Sequence, residues 1–368
     1  MPAERVLHVC MAPDRGGTEA VIETIAAGLD RARYVPVLAV PRGGALAAPW
    51  RAAGWTVVEI SAPPRLRDVH AGWTLVRELE QLIRAQAVHV VHTHGTAAQI
   101  YGGRAAARAG CPVVWQTHDT FHARWTWEGL LHRIAAAQRH DVVVAISRAV
   151  ADTLRGRVAW EQVDVIPNGV CPDRVTPVAR SAPGPLVVWC GRLQRWKGAH
   201  AFLDAAARVR HAHPAARFAV VGGTLFGLEP DYPDALRRQA DRLQLGGAVE
   251  WVGHVPDARP WLAAADVFVH SSIAPEPFGL VVAEAMMQER PVVAFRHGGP
   301  AEIVADGETG VLVPPGDAGA MSQAVSALLA EPGRAALLGQ AGRARALARY
   351  SAAGMVRRVE SAYDRARA

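Results

Sequence analysis

Leu186-Val187-Val188-Trp189-Cys190-Gly191-Arg192-Leu193-Gln194-Arg195-Trp196-Lys197-Gly198 is an apolar run followed at once by a glycine-bounded basic turn. An amphipathic stretch, Ala199–His213, comes next, and then a second β-branched run, Arg217–Val221. Strand, turn, helix and strand in that order call for a parallel sheet covered by helices. Lys197 is the single lysine of the chain, so the remaining 39 of its 40 basic residues are arginine. An Arg-rich, Ala-rich composition reflects a coding bias that favours Arg everywhere, which makes one surviving lysine conspicuous. Lysine is a compact ammonium on a flexible stem, suited to one phosphate oxygen. The turn therefore reads as a phosphate-gripping loop.

The same alternation runs outward in both directions. Upstream lie the runs Arg5–Cys10, Val35–Val40, Thr56–Ile60, Val88–Val91, Pro112–Thr117, Asp141–Ile146 and Val163–Ile166. The segment Cys171–Pro185 is rich in Pro, Gly, Ser and Thr and reads as a linker. Downstream the pattern resumes with Val249–Val252, Asp266–His270, Pro291–Phe295 and Val311–Val313. Thr18–Leu29, Gly72–Arg84, Leu280–Gln288 and Asp317–Ala330 are helical, and a continuous helix is expected from about Pro332. With 368 residues, two domains are the default. The fold class is α/β: two Rossmann-like, doubly wound parallel-sheet halves, 1–180 and 181–349, followed by a helical tail, 350–368.

Half of the residues are hydrophobic and 20% are charged, as in globular proteins. No apolar stretch is long enough to span a bilayer, and the first residues lack a signal-like core. Cys10, Cys111, Cys171 and Cys190 show no metal-like spacing and suit a reduced protein. The expectation is a cytoplasmic protein. Its charge of +6 is spread rather than striped, which speaks against nucleic-acid binding. It is compatible with an anionic ligand, or with peripheral contact at the inner face of a membrane through the loop Pro63–His70.

Chemistry-bearing residues gather after the strands. They are Gly16-Gly17, His92 with His94, His118-Asp119, Asn168-Gly169, Gly191-Arg192, Gly222-Gly223, His254, Ser271-Ser272 with Glu276, and Arg296 to Gly299. In open parallel sheets ligands bind at the C-terminal strand ends. These residues thus predict a cleft between the strand ends of two domains.

Glu276-Pro-Phe-Gly-Leu-Val-Val-Ala-Glu284 sets two carboxylates around a loop-to-helix junction. A helix starting near Gly279 presents free N–H groups to an anion. Glu284 lies about a turn inside it, within reach of ligand hydroxyls. Two carboxylates also serve a retaining glycosidase, where they face each other across a sugar; spacing alone does not decide.

In combination, these motifs resemble the retaining nucleotide-sugar glycosyltransferases of family four, which have the GT-B fold. The matching pieces of the second half are GRLQRWKG at Gly191–Gly198, EPFGLVVAE at Glu276–Glu284, GGPAEIV at Gly298–Val304 and GETGVLVPPGD at Gly307–Asp317. The first half adds GGTE at Gly16–Glu19, VHTH at Val91–His94, QTHD around His118 and IPNGV at Ile166–Val170.

The resemblance implies a transferase acting without metal or cofactor on a nucleoside-diphosphate sugar, UDP first and GDP second. The acceptor is a hydroxyl of a glycan, a lipid-linked saccharide or a small molecule. Arg192 and Lys197 would grip the diphosphate and neutralise leaving-group charge. Phe278, Gly279 and Leu280 would offer backbone N–H groups to the phosphates, and Gly17 would approach them closely. Glu284 would hold the ribose, His254 and Val255 would border the base, and Glu276 would contact the transferred sugar. His118 would face the reacting centre, and the C-terminal helix at 350–368 would cross back onto the first domain.

On the acceptor side, His94, Trp125 and Trp127 are candidates, since ring faces suit sugar C–H surfaces. Two rival readings compete. His92, His94, His118 and His122 could bind zinc in a hydrolase, although His118-Asp-Thr-Phe-His122 follows a strand and lacks helical character. A non-catalytic nucleotide-sugar-binding protein is the other.

Overall fold

The computed structural model describes residues 3–12, 16–64, 68–121, 126–224 and 228–368. The chain divides into two units, 1–169 with 352–368, and 170–351. The first contains β1 (Glu4–Val9), β2 (Tyr34–Pro41), β3 (Thr56–Ile60), β4 (Val90–His94), β5 (Val113–Thr117), β6 (Val142–Ala145) and β7 (Val163–Val165). They form a sheet ordered β3-β2-β1-β4-β5-β6-β7, every pair parallel. The second contains β8 (Leu186–Cys190), β9 (Arg217–Val221), β10 (Val249–Gly253), β11 (Val267–His270), β12 (Val292–Phe295) and β13 (Val311–Val313). Their order, β10-β9-β8-β11-β12-β13, is also all parallel.

Helices cover these sheets, so the β-branched runs are buried on both faces. In the second unit Trp189, Phe202, Phe218, Val269 and Phe295 belong to one core. In the first, Ile22, Leu38 and Trp50 share another. Both sheets reverse winding direction once, between β1 and β4 and between β8 and β11. Crevices at such switch points are where ligands of open α/β sheets bind.

The division falls between Gly169 and Val170 rather than near 180. The Pro-rich stretch is a strap lying on the second unit. Gln288 Nε2 donates to the Asp173 carbonyl at 2.9 Å, Val178 N to Pro260 at 3.1 Å, and Arg180 Nη2 to Ala264 at 2.8 Å. The C-terminal helix is likewise not continuous: it runs Pro332–Arg349 and resumes at Ala352–Arg367. Between them the Tyr350 carbonyl accepts Val170 N at 2.8 Å, and Ser351 bridges to Val170. These strand-like contacts cannot coexist with helix at those two residues. Ala352–Arg367 belongs to the first unit, where Val356 packs at Gly28 and Glu360 accepts Asp30 N at 2.8 Å.

Candidate active site

In the second unit the basic turn after β8 closes with a short 3-10 turn, Arg195–Lys197, and then Gly198 at φ +73° caps the helix Ala199–Ala212. Glycine is required there. A Cβ on Gly198 would lie 1.8 Å from the Ser271 carbonyl oxygen, and Ser271 Oγ donates to the Gly198 carbonyl at 2.7 Å. The turn is thereby fastened to the loop after β11. Gly198→Ala is expected to combine the left-handed strain, about 1–2 kcal/mol, with this backbone clash. Gly316→Ala has φ +79° and open space, so it isolates the strain. Thermal unfolding of both should show the larger loss at Gly198.

That fastening brings Lys197 to Glu276 across the β8–β11 switch point. Nζ lies 2.5 Å from Glu276 Oε1, and the two side chains are 14% and 10% exposed. The other oxygen, Oε2, is 2.7 Å from His270 Nε2 and accepts Ser272 Oγ at 2.8 Å. Burial pushes the Glu276 carboxyl up, but Lys197 and His270 outweigh it and hold it well below the usual range. His270 is the last residue of β11 and was missed by the sequence reading. Its signal was available: a histidine closing a buried strand six residues before a carboxylate. Lys197 Nζ also stands 4.2 Å from the Trp196 ring centroid, and Arg192 is 5.9 Å from it.

The helix Leu280–Met287 starts at Gly279, φ +95°. Its first N–H groups have no acceptor within the helix. Phe278 is buried, its ring edge-on to Tyr350 at 5.9 Å. The glycine pair after β12 cradles this loop: a Cβ on Gly298 would meet Glu276 O at 2.4 Å, and one on Gly299 would meet Phe278 O at 2.2 Å. Gly299 N donates to Glu276 O at 2.7 Å. Glu284 is half-buried. Burial first, and then the Glu284 carboxylate, push the Cys190 thiol up to about 12, so Glu284 lies close to the end of β8. His254 is exposed after β10, with Val255 half-buried beside it. The loop after β9 joins them, because Gly223 packs on His254 and Gly222 on Gly191. The second-unit residues expected at the phosphates, sugar, ribose and base thus lie on strand-end loops of one sheet, except Leu280 and Glu284, which belong to the helix Leu280–Met287.

In the first unit Gly17 opens the helix Gly17–Gly28, and Gly16 N donates to Glu19 Oε2 at 2.7 Å. Buried Glu19 thus shapes the glycine turn, a role the sequence reading did not assign. His92 and His94 lie within β4 rather than after it. The strand continues to His94 because the left-handed residue that ends it is Gly95, φ +82°. Alternation then turns both rings to one face, where His8 of β1 sits opposite His92 in the parallel register.

His8 Nδ1 is 3.1 Å from His94 Nε2, His94 Nδ1 is 3.4 Å from His118 Nε2, and His92 Nδ1 is 2.8 Å from the Tyr363 hydroxyl. Burial lowers His8 and His118 to about 3 and His92 and His94 well below their ordinary value. Among the described residues, the histidines grouped as metal ligands can be are His8, His92 and His94. The zinc set read from sequence thus changes membership: His118 adjoins His94, and His122 lies outside the described residues. Trp125 and residues 65–67 of the Pro63–His70 loop also lie outside them. Trp127 begins the helix Trp127–Ala136 and is 62% exposed. No helix of the described residues is long and apolar enough to cross a membrane.

Residues 15–174 match the family model described as Glycosyltransferase Family 4, and residues 184–331 that described as Glycosyl transferases group 1. The chain is 31% identical over 283 residues to alpha-maltose-1-phosphate synthase of Mycolicibacterium smegmatis, covering 68% of this chain and 70% of that one. It is 32% identical over 204 residues to the lipopolysaccharide core biosynthesis glycosyltransferase LpsE of Rhizobium meliloti, covering 54% and 56%. The chain spans 56% to 66% of the length of the first curated relatives it matches. Among solved structures, Anabaena Alr3699/HepE in complex with UDP and glucose superposes with a TM-score of 0.86 at 25% identity, over 98% of this chain and 99% of that one. With both halves matched and the strand-end motifs assembled on two parallel sheets, the chain belongs to glycosyltransferase family 4, with its GT-B fold.

Proposed function

We propose that this protein transfers a hexose-type sugar from a nucleoside-diphosphate sugar, UDP in the first instance, to an acceptor hydroxyl with retention of configuration. The observation that carries this reading is the largely buried Lys197–Glu276 pair at the switch point of the second sheet. A largely buried ammonium suits a diphosphate, and the carboxylate beside it suits sugar hydroxyls. The UDP and glucose bound to the Anabaena relative support the choice of nucleotide.

Arg192, Lys197 and the N–H groups of Phe278, Gly279 and Leu280 take the diphosphate, and Gly17 is assigned to its close approach. Glu284 takes the ribose, His254 and Val255 border the base, and Glu276 and His118 take the sugar. The bond from C1 to the phosphate oxygen breaks as the acceptor oxygen bonds C1 on the same face. The acceptor proton passes to the leaving phosphate, whose charge Arg192 and Lys197 neutralise. Trp127 offers an exposed ring to an acceptor glycan, lipid-linked saccharide or small molecule.

A thermal-shift titration with UDP, GDP, ADP and dTDP in EDTA tests the donor site. The preferred diphosphate at 100 times its Kd should stabilise by about 2.7 kcal/mol. NMR of the product made from the matching α-linked sugar donor should then show an α-linkage. No response to any diphosphate, or a β-linked product, overturns the respective half of this reading.

A further inference from the structure

Three imidazoles form a hydrogen-bonded chain inside the first unit: His8 Nδ1 to His94 Nε2, and His94 Nδ1 to His118 Nε2. The rings are 1%, 5% and 8% exposed. Burial keeps each one neutral, and a neutral imidazole carries a single N–H. Two contacts among three such rings leave two consistent arrangements. In one, His118 Nε2–H donates to His94 Nδ1, and His94 Nε2–H donates to His8 Nδ1. The His8 proton then sits on Nε2, which is buried without a partner. In the other, His8 Nδ1–H donates to His94 Nε2, and His94 Nδ1–H donates to His118 Nε2. His8 Nε2 is then a bare lone pair, and His118 carries its proton on Nδ1. Buried N–H groups without an acceptor are rarer in folded proteins than under-satisfied acceptors, which favours the second sense. His118 Nδ1 is not among the buried nitrogens that lack a partner.

We infer that His8 and His94 are positioning residues that lock His118 in its Nδ1–H tautomer, so that His118 meets the sugar as a hydrogen-bond donor and not as a base. This rests on the reading that His118 faces the transferred sugar. It agrees with a route in which the phosphate takes the acceptor proton, because the one lone pair of His118 already accepts from His94. His8 reaches the sugar only through two other rings, so it is not itself a catalytic residue.

Long-range ¹H–¹⁵N correlation NMR on histidine-labelled full-length protein reads the tautomer directly. The expected result is a proton-bearing Nδ1 and a bare Nε2 on His118; the opposite assignment overturns the inference. His8→Leu should let His118 populate both tautomers and lower kcat by about 10-fold or more, with donor KM little changed. His8→Asn, which restores a donor near the Nδ1 position, should recover both the tautomer and the rate. If His8→Leu does not fold, the wild-type spectrum still decides. His118→Ala separates the two readings. Unchanged activity there removes His118 from the sugar site. A large loss there, with His8→Leu at wild-type kcat and an unchanged His118 spectrum, removes only the relay. Stoichiometric transition metal in the purified protein would also overturn it, because ring nitrogens of His8 and His94 would then be ligands.

Discussion

Lys197→Met is expected to lower turnover roughly 10²–10³-fold and to destabilise the protein as well. The first effect follows if Lys197 neutralises the leaving diphosphate, because charge develops there only as the glycosidic bond breaks. The second follows from the position of Nζ, 2.5 Å from Glu276 Oε1 in a pair that is 14% and 10% exposed. Removing one partner of a buried ion pair leaves an uncompensated charge and costs on the order of 3–5 kcal/mol. His270 and Ser272 remain to satisfy Glu276 Oε2, so the loss should fall toward the lower end of that range.

Lys197→Met combined with Glu276→Gln should recover most of the stability and none of the turnover. Denaturant unfolding and kcat on the single and double variants form a cycle that separates the two roles. A folded single variant with near-normal turnover would end the assignment of Lys197 to the diphosphate. Equal instability of the single and double variants would show that the ion pair is not the source of the loss.

The second large expectation is acid lability of the first unit. Burial holds His8 and His118 near 3, while an unfolded imidazole takes its proton near 6.5. Between those values the unfolded chain binds more protons, so stability falls as pH falls. Each such histidine contributes a slope of up to about 1.4 kcal/mol per pH unit, and His92 and His94 are shifted in the same direction. Glu276 acts in a lower window. Its folded value is depressed, so its contribution is complete above about 4.5 and is lost as pH falls through the folded value. The first unit is therefore expected to unfold at a higher pH than the second. Urea unfolding monitored at pH 7.5 and pH 5.0 checks this, with His8→Leu expected to flatten the dependence. Equal stability at both pH values would show that the imidazoles are not held neutral.

The two-sheet architecture was legible in the chain because parallel strands buried on both faces are continuous β-branched runs, and Leu186–Cys190, Arg217–Val221 and Val311–Val313 appear with the bounds read from sequence. The motifs Gly191–Gly198 and Glu276–Glu284 were legible for a related reason: they are local, and each carries its own turn chemistry.

What escaped was non-local. His8 carries no sequence mark; it acquires meaning because β1 lies beside β4 with His8 opposite His92. His270 likewise gains its role only when the loop after β11 folds Glu276 back onto it. The Pro-rich segment reads as a linker until Gln288 and Pro260 provide the partners that hold it down. Local composition determined the strands, the helices and the glycine-bounded basic turn, since propensity and periodicity act over a few residues. Only the tertiary structure decided which polar side chains share a buried space, because that depends on strand order and register, which bring together residues as far apart as His8 and His94.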